Sequence, residues 1–153
     1  MQDTLLRIYK VSEIEISYRP HQAGEEVKIG CPNDAFEVFI DYWNLHTIQY
    51  KETFCVMYMN HAKKVIGIHQ HSVGGVSATV VDVKQILGVV LKSNASAMIL
   101  AHNHPSGILR PSQQDIDLTS KIKKACSLLD LTLIDHLIIN DHTYYSFTEE
   151  GIF

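Results

Sequence analysis

The stretch Ala97-Met98-Ile99-Leu100-Ala101-His102-Asn103-His104-Pro105-Ser106-Gly107 decides the fold, and Ser112 and Asp115 follow it. Residues 97–101 form an unbroken apolar run, long enough for a strand buried on both faces. Pro105 and Gly107 then force a turn. Ser112 occupies the place of a helix N-cap, with Asp115 in the first helical turn. Alternate residues of a strand share a face, so His102 and His104 point the same way. A chain folding back through the turn brings the Asp115 carboxylate to the same point. Two imidazoles and a carboxylate with one position left open form a ligand set typical of catalytic zinc. Taken singly, each residue has a plainer explanation: a strand-end histidine satisfied by backbone, a serine cap, an aspartate complementing the helix dipole. Strand, sharp turn and capped helix arising together around three ligand types favour the metal site.

Outward from this stretch, strands and helices alternate. Residues 4–18 alternate loosely and predict two short strands, and 19–24 a loop. Pro32-Asn33-Asp34 opens a helix whose Phe36, Phe39, Ile40 and Trp43 recur at three- and four-residue intervals, a core face. Phe54 to Met59 reads as a strong strand, residues 60–64 as a hairpin turn, and 65–73 as its partner, ended by Gly74-Gly75. Asp82 with Gln85 has the form of a capping box before a helix carrying Val83, Ile86, Leu87, Val90 and Leu91 on one face. After the central strand come a helix from residue 112 to about 129, a strand over 131–139, a turn at Asn140-Asp141 and a last strand over 142–147. The fold class is α/β, strictly α+β: a mixed β-sheet flanked by helices.

Composition narrows the function classes. A chain of 153 residues is one domain by prior, with 46% hydrophobic residues for a core. The net charge of −4 argues against a large phosphate-binding surface. Lys121, Lys123 and Lys124 fit solvation and the helix dipole rather than a nucleic-acid patch. No apolar run reaches the roughly 20 residues of a membrane span. The N-terminus lacks the order of a signal peptide, and Cys31, Cys55 and Cys126 read as reduced thiols. The expected compartment is the cytoplasm.

The spacing His102-x-His104, seven residues, Ser112, two residues, Asp115 resembles the JAMM (MPN+/JAB) metalloprotease motif. The longer string His102-Asn103-His104-Pro105-Ser106-Gly107 with Pro111-Ser112 and Asp115 resembles the RadC branch of that family. So do Ser93-Asn94-Ala95 and Asp135-His136-Leu137-Ile138-Ile139. The resemblance covers residues 49–153, leaving 1–48 as an N-terminal extension of short strands plus one helix. It implies a three-layer JAB1/MPN, cytidine-deaminase-like architecture. Longer RadC-like proteins carry a helix-hairpin-helix region first, and these residues show no convincing counterpart. The start Val80-Val81-Asp82-Val83-Lys84 departs from the Pro-Arg-Glu-like pattern of RadC sequences, which bears on the substrate groove and not on the ligands.

Hydrolysis needs a base beside the metal, and the base should not itself be a ligand. By sequence alone Glu52 is a solvated strand-edge glutamate next to Lys51; the resemblance makes it the general acid/base. It likewise makes Ser112 the residue that assists the oxyanion, and His102, His104 and Asp115 the ligands of one Zn2+ per chain. The implied function is zinc-dependent cleavage of a peptide or isopeptide bond in a protein or peptide substrate. A DNA-repair accessory role is the alternative, against which the acidic balance counts; a non-catalytic scaffold is a third. Ser106 lacks triad partners and is set aside as a nucleophile. Asn103 should face away from the ligands and is structural. His69-Gln70-His71 repeats the His-x-His spacing, but no carboxylate-bearing turn and helix follow it. His136, beside Asp135, is by default a core histidine, with orientation of a ligand from behind as the other possibility.

Overall fold

The computed structural model describes residues 14, 15, 17, 24–74 and 80–153. The strand pair expected over 4–18 and the loop at 19–24 fall, but for isolated residues, outside the described residues, as does Gly75. The elements run α1 (Pro32–Tyr42), a short 3-10 turn (Leu45–Thr47), β1 (Thr53–Met59), β2 (Val65–Val73), α2 (Val83–Lys92), β3 (Ala97–Asn103), α3 (Gln113–Leu128), β4 (Thr132–Ile139) and β5 (Tyr144–Ser146).

One sheet holds all five strands in the order β2-β1-β3-β4-β5. β1 is antiparallel to both β2 and β3, and β4 is antiparallel to β5. β3 and β4 are parallel, as the crossover through α3 permits. The sheet is therefore mixed, with β3 at its centre. Every residue of β1 and of β3 is buried, which is why both read as unbroken apolar runs.

Period-two alternation divides these strands between two cores. On one face Cys55, Met57, Met59, Ile99 and Ala101 pack with Phe39 of α1 and with Trp43, its C-cap. On the other, Phe54, Val56, Met98 and Leu100 pack with Ile86 and Val90 of α2 and Ile122 and Cys126 of α3. Helix, sheet and helices make three layers, as the resemblance implies.

Helix starts follow local chemistry. Asp34 Oδ2 accepts the N–H groups of Gly30 and Cys31 ahead of α1. Asp82 caps α2 by accepting from the Lys84 N–H, so its bond goes to the next residue but one rather than into a box with Gln85. Ser112 and Asp115 do form a capping box at α3. The last strand is shorter than its sequence predicts, because Asn140 Oδ1 gathers the N–H groups of His142 and Thr143 into the turn. No helix among the described residues is long and apolar enough to cross a membrane.

Candidate metal centre

β3 delivers both histidines to one face at its C-terminal end. His102 is the last but one residue of the strand and 1% exposed. His104 follows it, half-buried, where the chain leaves the sheet. Gly107 closes the turn with φ near 75°, which favours glycine, and its N–H donates to the His104 carbonyl at 2.8 Å. The same turn places the Ile108 carbonyl 2.7 Å from His104 Nδ1. A carbonyl can only accept, so Nδ1 carries the proton and Nε2 is the free ring nitrogen of the neutral imidazole.

The capping box aims the carboxylate. Asp115 Oδ2 accepts from the Ser112 N–H and hydroxyl, both at 2.7 Å, and Ser112 Oγ accepts from the Asp115 N–H at 3.1 Å. The two carboxylate oxygens then lie 3.2 Å (Oδ1) from His102 Nε2 and 3.5 Å (Oδ2) from His104 Nε2. The two Nε2 atoms are 2.9 Å apart. Bonds of 2.0–2.1 Å in a tetrahedral zinc site put ligand atoms about 3.3 Å from one another, and the three separations bracket that value. The donor set, its spacing and the free nitrogen aimed inward by the Ile108 carbonyl all fit a divalent cation. Among the described residues this is the group of three or more such side chains close enough to share an ion.

Its hydrogen bond to Asp115 raises the His104 imidazole above its ordinary value; burial pulls it down, and the Ile108 carbonyl with the charges of Asp115 and Glu52 raise it further. Burial acts to raise the Asp115 carboxyl, but the adjoining imidazoles and the Ser112 hydroxyl outweigh it and hold the group well below the usual carboxylate range.

Glu52 immediately precedes β1 and is half-buried rather than solvated. Phe54 pairs with His102 in an antiparallel ladder, which brings the start of β1, just after Glu52, beside the strand end that carries the histidines. Asn103 explains how the segment is held there. Its side chain is on the other face, where Oδ1 accepts from the Thr53 N–H at 2.9 Å and Nδ2 donates to the carbonyls of Ile48 and Lys51 at 2.6 and 2.9 Å.

Ser112 is in the cluster, with its proton on Asp115 Oδ2. Ser106 Oγ accepts from the Ile108 N–H and belongs to the turn. His69 and His71 are elsewhere: His71 Nε2 lies 2.6 Å from the Tyr58 hydroxyl, and no carboxylate joins them among the described residues. His136 is fully buried as expected of a core histidine, yet it also touches the site, with Nε2 2.8 Å from His102 Nδ1. Asp135, its sequence neighbour, turns away to the Ser146 hydroxyl and the Thr148 N–H. The polar group behind His136 is Thr119, whose Oγ1 is 2.6 Å from His136 Nδ1. Sequence reading passed over Thr119; its signal was its spacing, four residues beyond Asp115 on one helical face.

Comparisons with known proteins identify the family. The RadC-like JAB domain family model, a JAMM/MPN-related group, matches residues 29–152. A UPF0758 protein of Flavobacterium johnsoniae is 49% identical over 102 residues, covering 67% of this chain and 44% of the relative. One of Porphyromonas gingivalis is 48% identical over 103 residues, covering 67% and 45%. One of Aquifex aeolicus is 33% identical over 139 residues, covering 91% and 58%. The chain thus spans about half the length of these curated relatives. From the family match over residues 29–152 and relatives of this similarity, the chain belongs to the RadC-like JAB domain family.

Proposed function

We propose that this chain is a zinc-dependent hydrolase of a peptide or isopeptide bond, with His102, His104 and Asp115 holding one Zn2+. The observation that carries this is the convergence of two Nε2 atoms and one carboxylate at tetrahedral spacing. In support, Glu52 leads into β1, whose Phe54 pairs with His102, and its charge acts on His104. A bound zinc supplies Lewis acidity, bringing the acidity of a water at its open position near neutrality.

The protein's own residues supply the proton traffic. Glu52 takes a proton from the attacking water as its oxygen bonds to the carbonyl carbon, and returns it to the leaving nitrogen as the C–N bond breaks. A carboxylic acid and an amine result. Rotation of the Ser112 hydroxyl from Asp115 Oδ2 toward the carbonyl oxygen gives the developing oxyanion a donor. The substrate class is protein or peptide, and the compartment we assign is the cytoplasm, in keeping with the free thiols of Cys31, Cys55 and Cys126.

The test is elemental analysis of the purified chain alongside a screen of fluorogenic peptide and isopeptide substrates. About one zinc per chain is expected, and Glu52→Gln should keep that zinc while losing about 10²–10⁴-fold in turnover. A fully active Glu52→Gln protein would remove the base from this scheme. Failure to take up zinc, even after it is added back, would remove the metal.

A further inference from the structure

We infer that His136 and Thr119 form a hydrogen-bond relay that fixes His102 in the one tautomer able to present Nε2 to a metal. They are positioning residues and touch neither metal nor substrate. The inference rests on the metal site proposed above and extends it to residues that no ligand motif contains.

The relay can be read atom by atom from an acceptor that has no choice. The Asp115 carbonyl only accepts, and Thr119 Oγ1 lies 2.6 Å from it, so the Thr119 hydroxyl donates there. That uses the single hydroxyl proton. At 2.6 Å from His136 Nδ1 the same oxygen must then accept, so Nδ1 carries hydrogen. His136 is fully buried, stacked on Phe147 at 4.6 Å and edge-on to Phe54 at 5.7 Å, and no carboxylate is hydrogen-bonded to its ring. Such surroundings favour the neutral ring, which leaves Nε2 bare. A bare Nε2 at 2.8 Å from His102 Nδ1 accepts from it. The hydrogen of neutral His102 therefore sits on Nδ1, and its Nε2 is free toward His104 and Asp115.

The path closes on itself. From the Asp115 carbonyl it runs through Thr119, His136 and His102 to the Asp115 carboxylate. One residue thus receives the relay at its backbone and faces its outcome at its side chain. His104 is fixed independently by the Ile108 carbonyl. Without the relay, His102 could place its hydrogen on Nε2, where it would point into the ligand set and have to be displaced. Groups that orient a metal-binding histidine from behind are worth about 10–100-fold in metal affinity.

The experiment compares wild type with Thr119→Val, Thr119→Ser and His136→Gln, using zinc alone as the probe in competition with a chromophoric chelator. Thr119→Val should weaken zinc binding about 10–100-fold, and His136→Gln by at least as much. Thr119→Ser, which keeps the hydroxyl, should stay within about twofold of wild type, a rescue that packing alone would not give. In parallel, ring nitrogen shifts of zinc-free wild type should report His102 and His136 as Nδ1–H tautomers. This second reading needs no variant to fold. His102 found with hydrogen on Nε2, or Thr119→Val binding zinc as tightly as wild type, would overturn the relay. Wild type that takes up no zinc while His102 remains the Nδ1–H tautomer would overturn the metal site and uphold the relay.

Discussion

This chain carries two His-x-His sequences in one sheet, on either side of β1, and among the described residues only one of them has a carboxylate close enough to share an ion. His69 and His71 are on β2, an edge strand; His102 lies near the end of β3, the central one, and His104 just beyond it. Their ring centroids are nearly equally spaced, 4.5 and 4.8 Å. Everything around them differs. His69 is exposed, whereas His102 is buried, with Nδ1 held by His136 and Nε2 turned toward His104 and Asp115. His71 spends Nε2 on the Tyr58 hydroxyl, and its buried Nδ1 has no partner among the described residues. Spacing brings imidazoles together; what aims their nitrogens and adds a carboxylate is the turn at Gly107 and the capping box of α3.

The most direct way to break this contrast is to remove one histidine from each pair. His104→Ala and Asp115→Ala should each take zinc from about one per chain to near zero, while His69→Ala and His71→Ala leave it unchanged. Elemental analysis after dialysis decides the matter, and zinc lost with His71 would make the two pairs equivalent.

A smaller effect sharpens the contrast through the residue between the histidines. Asn103 is buried and bonded to three backbone groups, while Gln70 is exposed. Asn103→Ala should cost about 2–4 kcal/mol in denaturant unfolding, since it strands a buried N–H and two carbonyls. Gln70→Ala should stay within about 0.5 kcal/mol of wild type. Equal costs would mean that the amide of Asn103 holds nothing.

The smallest expected effect is in acid. Burial, and then the neighbouring His69, push the His71 imidazole down to about 4. Its pKa in the unfolded chain is about 6.5, so between the two values the unfolded state binds the extra proton. The stability that neutral His71 allows is complete above about pH 6.5 and is lost as pH falls toward 4. His71→Gln should flatten the stability profile across that window, and an unchanged slope would assign the acid sensitivity to other groups.

The legible part of the molecule was the part whose physics is local. The runs Phe54–Met59 and Ala97–Ala101 are apolar without interruption because both faces of those strands are covered, and the sequence says so directly. The cap at Ser112 and the approach of His102, His104 and Asp115 to one point followed from short-range chemistry as well. The half-burial of Glu52 did not, since it depends on a partner strand some fifty residues away. Nor did the contact of His136 with His102, which only the parallel pairing of β4 with β3 creates. Thr119 was the least visible, because a threonine facing inward from a helix resembles any other buried hydroxyl until its two partners are known.

The Asn103 amide has a consequence for how such a site can be moved or remade. The residue that separates the ligands also tethers the chain on either side of Glu52, through Lys51 and Thr53. The segment that carries Glu52 and the strand end that carries the histidines are thus pinned to each other and cannot shift independently. At Ile48 the amide asks only for a backbone carbonyl, although the side chain there is also part of the core. A designer transplanting this centre to another sheet would need to carry the asparagine as faithfully as the histidines, although it faces away from them.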